Sequence, residues 1–219
     1  WQSKHGITHF ADLSRATQRG EDPVTTYKRI HSLTQEQFNN EMFDACRRFI
    51  TWDMKRIEKV ARPYANQHFT LLQPAADGWY RIDPAKCPQN YGYNGIKLQV
   101  PAAGTKVALT FKGMAGAEGY STVKTEMAGW RYGFVASLKN GKRVYSKMYI
   151  DANGTAQFTV PKQTEYLWLV VMGAPTEHWA AGARRGQQGG QAGAGQSGEE
   201  QWPYQFKLEG ASPDNAMFQ

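Results

Sequence analysis

Cysteine is scarce in this sequence: Cys46 and Cys87 are its two. Neither sits in a C-x-x-C pair, which excludes a zinc ribbon or a dithiol redox motif. The two could be joined in an oxidising compartment or be separate buried thiols. Long apolar runs are missing as well. No stretch approaches the ~18 apolar residues of a membrane-spanning helix, and no signal-peptide pattern is recognisable. No block of five or more like charges occurs, so a nucleic-acid-binding arm is not indicated and nucleic acid is not an expected partner. There is no G-x-S-x-G, no Gly-rich phosphate loop and no paired Cys/His metal set. Asp and Glu are scattered, so no glycosidase carboxylate pair can be picked out. Strands do not alternate with helices, which argues against a Rossmann or barrel enzyme.

The sequence is rich in aromatic residues, with 7 Trp and 11 Tyr, and its net charge is +7 over 219 residues. Basic charge favours acidic partners such as an anionic polysaccharide, although a solvated basic surface gives the same count. The opening at Trp1, without an initiator Met, suggests a processed form or part of a longer chain.

Helical signals fill the first part. Asp22-Pro23 reads as a cap and first position of a short helix through Tyr27 and Ile30. Thr34 and Gln37 form a capping-box pattern. Phe38, Met42, Ala45 or Cys46, Phe49, Ile50, Ile57 and Val60 then recur at three- and four-residue steps, predicting one long amphipathic helix over about 35–62. Pro63 would end it. From Trp79 the period changes to two. Ile96–Val100, Lys106–Phe111, Trp130–Leu138, Arg143–Ile150, Thr155–Val160, Tyr166–Met172 and Trp202–Leu208 read as strands. Pro101–Gly104 reads as a hairpin-like turn. Asn140-Gly141 is a strong hairpin signal, and Asn153-Gly154 a second. Leu167–Met172 is apolar without a break, as in a strand covered on both faces. The expected fold is α+β: a helical region at 1–75 packed on an antiparallel β-sandwich at 76–219, jelly-roll-like. A Gly/Gln-rich stretch at about 180–200 reads as a flexible surface loop, either a lid or a tolerated insertion.

Candidate site residues gather at the corner where the buried strand stops. Gly173 and Pro175 end it, and Thr176-Glu177-His178-Trp179 emerge. Glu177 and His178 are the catalytic candidates, because His titrates near neutrality and a carboxylate is adjacent. Equally, both could satisfy loop backbone groups. Tyr91, Asn94, Trp130, Arg131, His178, Trp179 and Trp202 are candidate ligand-binding residues, with Trp79 beside them. Rings of this kind stack on sugar faces while amides and Arg bond hydroxyls, but aromatics also cover sheet ends. His5 and His9, four apart, are weak candidates for a divalent metal. Gly6 follows His5 where a zinc-peptidase helix needs Glu, so a peptidase site is not complete.

Several strings carry a resemblance: Phe38–Ala45, Thr51–Asp53, Pro88–Asn94, Ala128–Val135, Leu167–His178 and Gln201–Gln205. Together they resemble a family of secreted, largely unassigned bacterial proteins whose longer members carry a metallopeptidase-like part upstream of this region. The resemblance covers most of the chain except the Gly/Gln stretch. It implies a secreted, cell-surface or periplasmic location and carries no peptidase residues over. Three functions stay open: a secreted accessory module binding a polysaccharide or glycoconjugate, the C-terminal part of a metal-dependent hydrolase acting on peptide or glycan, or a structural surface domain.

Overall fold

Capping chemistry sets the first helices in a computed structural model that describes residues 2–121, 124–179 and 200–214. Helix α1 (Gln2–His5) is a single turn, and Gly6 at φ 100° ends it. Helix α2 follows at His9–Ala16. Asp22 caps α3 (Pro23–Ile30), its Oδ1 accepting from the N–H groups of Val24 at 2.8 Å and Thr25 at 2.9 Å. The capping box expected before α4 (Gln35–Thr51) is formed in both directions, Gln37 N–H to Thr34 Oγ1 and Thr34 N–H to Gln37 Oε1.

The single helix expected over 35–62 is two helices. Trp52 adopts the left-handed region, at φ 50° and ψ 39°, and ends α4. The Asp53 N–H reaches back to the Arg48 carbonyl at 2.9 Å, and the Trp52 indole donates to the Tyr64 carbonyl. This is the geometry with which helices close when their last carbonyls find partners in the turn that follows. Helix α5 (Glu58–Ala61) is a separate turn, and Val60 on it is 74% exposed. Val60, which continued the apolar spacing, therefore packs on no sheet.

Among the described residues, nine antiparallel strands form two sheets. In chain order they are β1 (Leu72–Pro74), β2 (Trp79–Ile82), β3 (Tyr93–Leu98), β4 (Lys106–Gly113), β5 (Trp130–Leu138), β6 (Arg143–Tyr145), β7 (Asn153–Thr159), β8 (Thr164–Gly173) and β9 (Tyr204–Glu209). Because β1 already belongs to a sheet, strand structure begins slightly before the 75/76 boundary read from sequence. One sheet runs β1-β2-β9-β4-β7 and the other β3-β8-β5-β6. The orders β2-β9-β4-β7 and β3-β8-β5-β6 are those of a jelly roll, with β1 added beside β2.

Two of the turn readings change. Asn140-Gly141 does close a hairpin between β5 and β6, with the Lys142 N–H bonded to Asn140 Oδ1. Pro101–Gly104, however, carries the chain from β3 in one sheet to β4 in the other, and the turn before Asn153 likewise changes sheet. The return strand expected to Ile150 stops at Tyr145, because the Ser146 hydroxyl takes the Phe134 N–H that a strand carbonyl would otherwise receive.

Strand β8 shows why its sequence is apolar throughout. Leu167, Leu169 and Val171 face the core between the sheets, with Phe111, Phe134 and Phe206. Trp168, Val170 and Met172 face the other way, against Phe43, Cys46 and Ile50 of α4. Successive side chains alternate between faces, and here each face is covered, so burial is worth roughly 1.5–3 kcal/mol for each large side chain. Helix α4 thus seals the outer face of the second sheet. Both cysteines are free and buried, Cys46 in this outer layer and Cys87 in the inter-sheet core.

Candidate functional site

The corner after β8 joins the sandwich to the helices. His178 Nε2 lies 2.9 Å from Asp22 Oδ2, at the start of α3, and its Nδ1 lies 2.9 Å from the Tyr91 hydroxyl. Gln35 of α4 donates to that same hydroxyl oxygen at 3.2 Å. One consistent set of donors follows. Gln35 donates to Tyr91, Tyr91 donates to Nδ1, and the Nε2–H of His178 donates to the Asp22 carboxylate. Asn39 and Gln35 both donate to the Pro175 carbonyl. Tyr91 needs a left-handed backbone here, at φ 62°, and its N–H bonds the Gly173 carbonyl. Every polar atom of the His178 ring is therefore engaged between layers. Glu177, its neighbour in sequence, is exposed, and the two form no acid–base pair.

The candidate stacking residues are divided by burial. Trp130 and Trp202 are core residues, 2% and 0% exposed, and their rings meet edge to face at 6.4 Å. They have no face to offer a sugar, which corrects that part of the expected surface. Their indole N–H groups bond the Trp202 carbonyl and Asn90. Asn94 is buried, donating to the Lys86 carbonyl and accepting from Tyr204. Arg131 is also buried, bonded to Asn40 and to the Trp130 carbonyl. Trp79 and Trp179 are half-buried, with Lys124 Nζ 4.6 Å above the Trp179 ring. The Gly/Gln-rich segment at 180–199 lies outside the described residues.

A second gathering of polar groups lies within the helices. His5 ends α1, His9 begins α2, and His31 caps the C-terminus of α3. The His5 and His9 rings meet across the Gly6 break, centroids 4.5 Å apart, and not along one helix face as their spacing suggested. His31 stacks on His5 at 4.1 Å. Burial, followed by the neighbouring histidines, holds His5 below the usual histidine range. Burial and His9 do the same for His31. Tyr27 closes one side, its hydroxyl 2.7 Å from His5 Nε2 and 2.8 Å from Glu41 Oε2. His31, Tyr27 and Glu41 were not singled out from sequence. The available signal was that Pro23 fixes where α3 starts, so that Tyr27 and His31, four apart, share a face.

A polar cleft of about 450 Å³ opens where the α5 region meets the second sheet. Arg62, Asn66 and Gln67 line one wall, and Lys97, Lys139, Glu165 and Tyr166 the other. Lys97 Nζ sits 5.5 Å from the Tyr166 ring centroid and 3.4 Å from Asp214. Arg143 at its base is committed to structure, bonded to Glu58 and to the Thr51 and Gly141 carbonyls. No helix among the described residues is long and apolar enough to cross a membrane.

A model of a "Family of unknown function (DUF6055)" matches residues 1–215. No curated protein matches the chain. Similar solved structures include the Yersinia pseudotuberculosis-derived mitogen, at 8% identity and TM-score 0.36 over 59% of this chain and 81% of that one. They also include a structure of accessory secretory proteins 1, 2 and 3 of Streptococcus pneumoniae, at 10% identity and TM-score 0.31 over 65% and 86% of the two chains. A third is a family two carbohydrate esterase from Clostridium thermocellum in complex with cellohexaose, at 9% identity and TM-score 0.28 over 67% and 32%. Scores this low bear on neither mechanism nor ligand.

Proposed function

The chain belongs to the DUF6055 family of unknown function, and from that premise we propose that it is a binding module for an acidic saccharide, held in the cleft beside α5. One observation carries this reading. Cationic Arg62, Lys97 and Lys139 share a single open cavity with the amides of Asn66 and Gln67 and the Tyr166 ring. Cations pair with uronate or sulfate groups, amides bond ring hydroxyls in either direction, and an aromatic face covers the apolar side of a sugar. The net charge of +7 would draw such a polymer in and hold it less well as salt rises. The reading keeps the ligand class suggested by the aromatic-rich sequence and moves it away from Trp130 and Trp202. A secreted or surface location is part of the same proposal.

Titration with uronic-acid, sulfated and neutral oligosaccharides tests it. Acidic oligosaccharides should bind at low salt and release as salt rises, and the Arg62→Ala/Lys139→Ala double variant should weaken them at least tenfold. Equal binding of neutral oligosaccharides, or an unchanged affinity in the double variant, refutes the cleft as the site.

A further inference from the structure

We propose that His5, His9 and His31 form a site for one first-row divalent metal ion of the zinc type, with Tyr27 and Glu41 as its outer shell. This site is independent of the saccharide cleft. Each histidine offers one ring nitrogen, and the three nitrogens all lie within 4.8 Å of one another. In a tetrahedral site with Zn–N of about 2.0–2.1 Å the ligand nitrogens stand ~3.4 Å apart, so side-chain rotations of an ångström or so close the set. The three residues sit at helix ends, where such rotations disturb little: the last residue of α1, the first of α2 and the C-cap of α3.

Hydrogen-bond bookkeeping gives the second, separate observation. The Nε2 atoms of His9 and His31 are buried with no hydrogen-bond partner. Buried ring nitrogens without partners are costly, and a metal ion is one way to satisfy them. His5 differs, and the difference is what a ligand requires. The Tyr27 hydroxyl has one proton, and the carboxylate of Glu41, at 2.8 Å, can only accept it. The Tyr27 oxygen therefore accepts from His5 Nε2–H at 2.7 Å. That fixes the tautomer of His5 and leaves the lone pair on Nδ1. A ligating histidine whose other nitrogen donates into a chain ending on a carboxylate is the usual outer-shell arrangement of such sites. Lys4 pairs with Glu41 and completes the chain.

Ligand type narrows the ion. Three neutral imidazoles suit zinc, copper and nickel and are poor for calcium or magnesium, which take oxygen. Three protein nitrogens leave one tetrahedral position for water or an outside ligand.

The test uses the whole chain, stripped of metal and titrated with Zn²⁺ by calorimetry. Co²⁺ is followed by its visible bands, and the Zn-loaded protein is examined by X-ray absorption. One ion per chain is expected, with a Kd of micromolar or below and imidazole nitrogens as the scattering ligands. His9→Ala and His31→Ala should each weaken binding at least a hundredfold. Tyr27→Phe should weaken it about 10–100-fold, the cost typical of a lost outer-shell partner. His68→Ala and His178→Ala should leave Kd unchanged within twofold. Should a cluster variant fail to fold, the absorption spectrum of the unmutated protein still decides. Sulfur or all-oxygen ligation overturns the proposal. So does a Zn²⁺ affinity weaker than ~100 μM, or binding that survives loss of His9 or His31.

Discussion

Replacing Asp22 by Ala should cost the protein more than any other single change on its helical surface, because one carboxylate serves two layers. Its Oδ1 caps α3 through Val24 and Thr25, and its Oδ2 receives the Thr25 hydroxyl at 3.1 Å and His178 Nε2 at 2.9 Å. Loss of the cap costs about 0.5–2 kcal/mol. The His178 side chain is only 12% exposed, so leaving its Nε2–H without an acceptor adds about 1–3 kcal/mol. The sum is about 1.5–5 kcal/mol, or about 3–20 °C in Tm for a chain of this size. Asp22→Asn keeps an acceptor at the cap and removes the charge that faces His178, so it should cost about 1 kcal/mol. Denaturant unfolding of Asp22→Ala, His178→Ala and the double variant measures the coupling, expected at 0.5 kcal/mol or more. A pH series gives the sign. Burial alone would raise the Asp22 pKa, but the Thr25 N–H and His178 outweigh it and hold it below the ordinary value. A carboxyl lowered in the folded state stabilises at pH above its unfolded value and loses that contribution as pH falls through the folded one. The gap between wild type and Asp22→Asn should therefore be full near neutrality and shrink below about pH 4. An Asp22→Ala cost under 0.5 kcal/mol, or zero coupling to His178, would refute the joint described at this corner.

Other changes probe the remaining layers. Gly173→Ala should destabilise by about 1–3 kcal/mol or more in thermal unfolding, because an added Cβ meets the Trp202 ring and stands 2.6 Å from the Gln89 carbonyl. Thr34→Ala should cost about 1 kcal/mol by urea titration, since it removes one arm of the capping box of α4. Burial pushes both thiols up to about 12. Alkylation at neutral pH should then be slow in the native protein and run to two adducts in denaturant, as mass spectrometry would show. Trp202→Ala should act as a core truncation, costing about 3–5 kcal/mol. A ligand affinity lost in Trp202→Ala with stability intact would restore that ring to a binding surface.

The parts legible in the sequence are those governed by local chemistry or by a strict period. Asp22-Pro23, Thr34 with Gln37, and Asn140-Gly141 act within a few residues, and each forms the structure its types imply. The unbroken run from Leu167 to Met172 required two covered faces, and it has them in the opposing sheet and α4. The failures share a cause. Pro101–Gly104 makes a turn either way, and whether it joins neighbours in one sheet or crosses to the other depends on partners far along the chain. The spacing of Ile57 and Val60 continued a helical period across Trp52, where bonds to Arg48 and Tyr64 had already ended the helix.

The site residues divide along the same line. Aromatic and amide types at strand starts suit both a sugar surface and a sheet end, and only burial separates them: Trp130, Trp202, Asn94 and Arg131 all lie inside. His5 and His9 were visible as a pair, and their meeting does not depend on the helical face that suggested it. Gly6 at φ 100° folds α1 back so that His9 starts a new helix beside it. The third histidine arrives from a helix whose start is fixed by Pro23 and whose cap, Asp22, is bonded to His178 across the layer boundary. Loosening that cap should shift His31 relative to His5 and His9. The structure thus links two features that are separate in sequence, the corner after β8 and the histidine cluster, through the eight residues of α3. Asp22→Ala should accordingly weaken Zn²⁺ as well as the fold, while His178→Ala, which spares the cap, should weaken the fold alone.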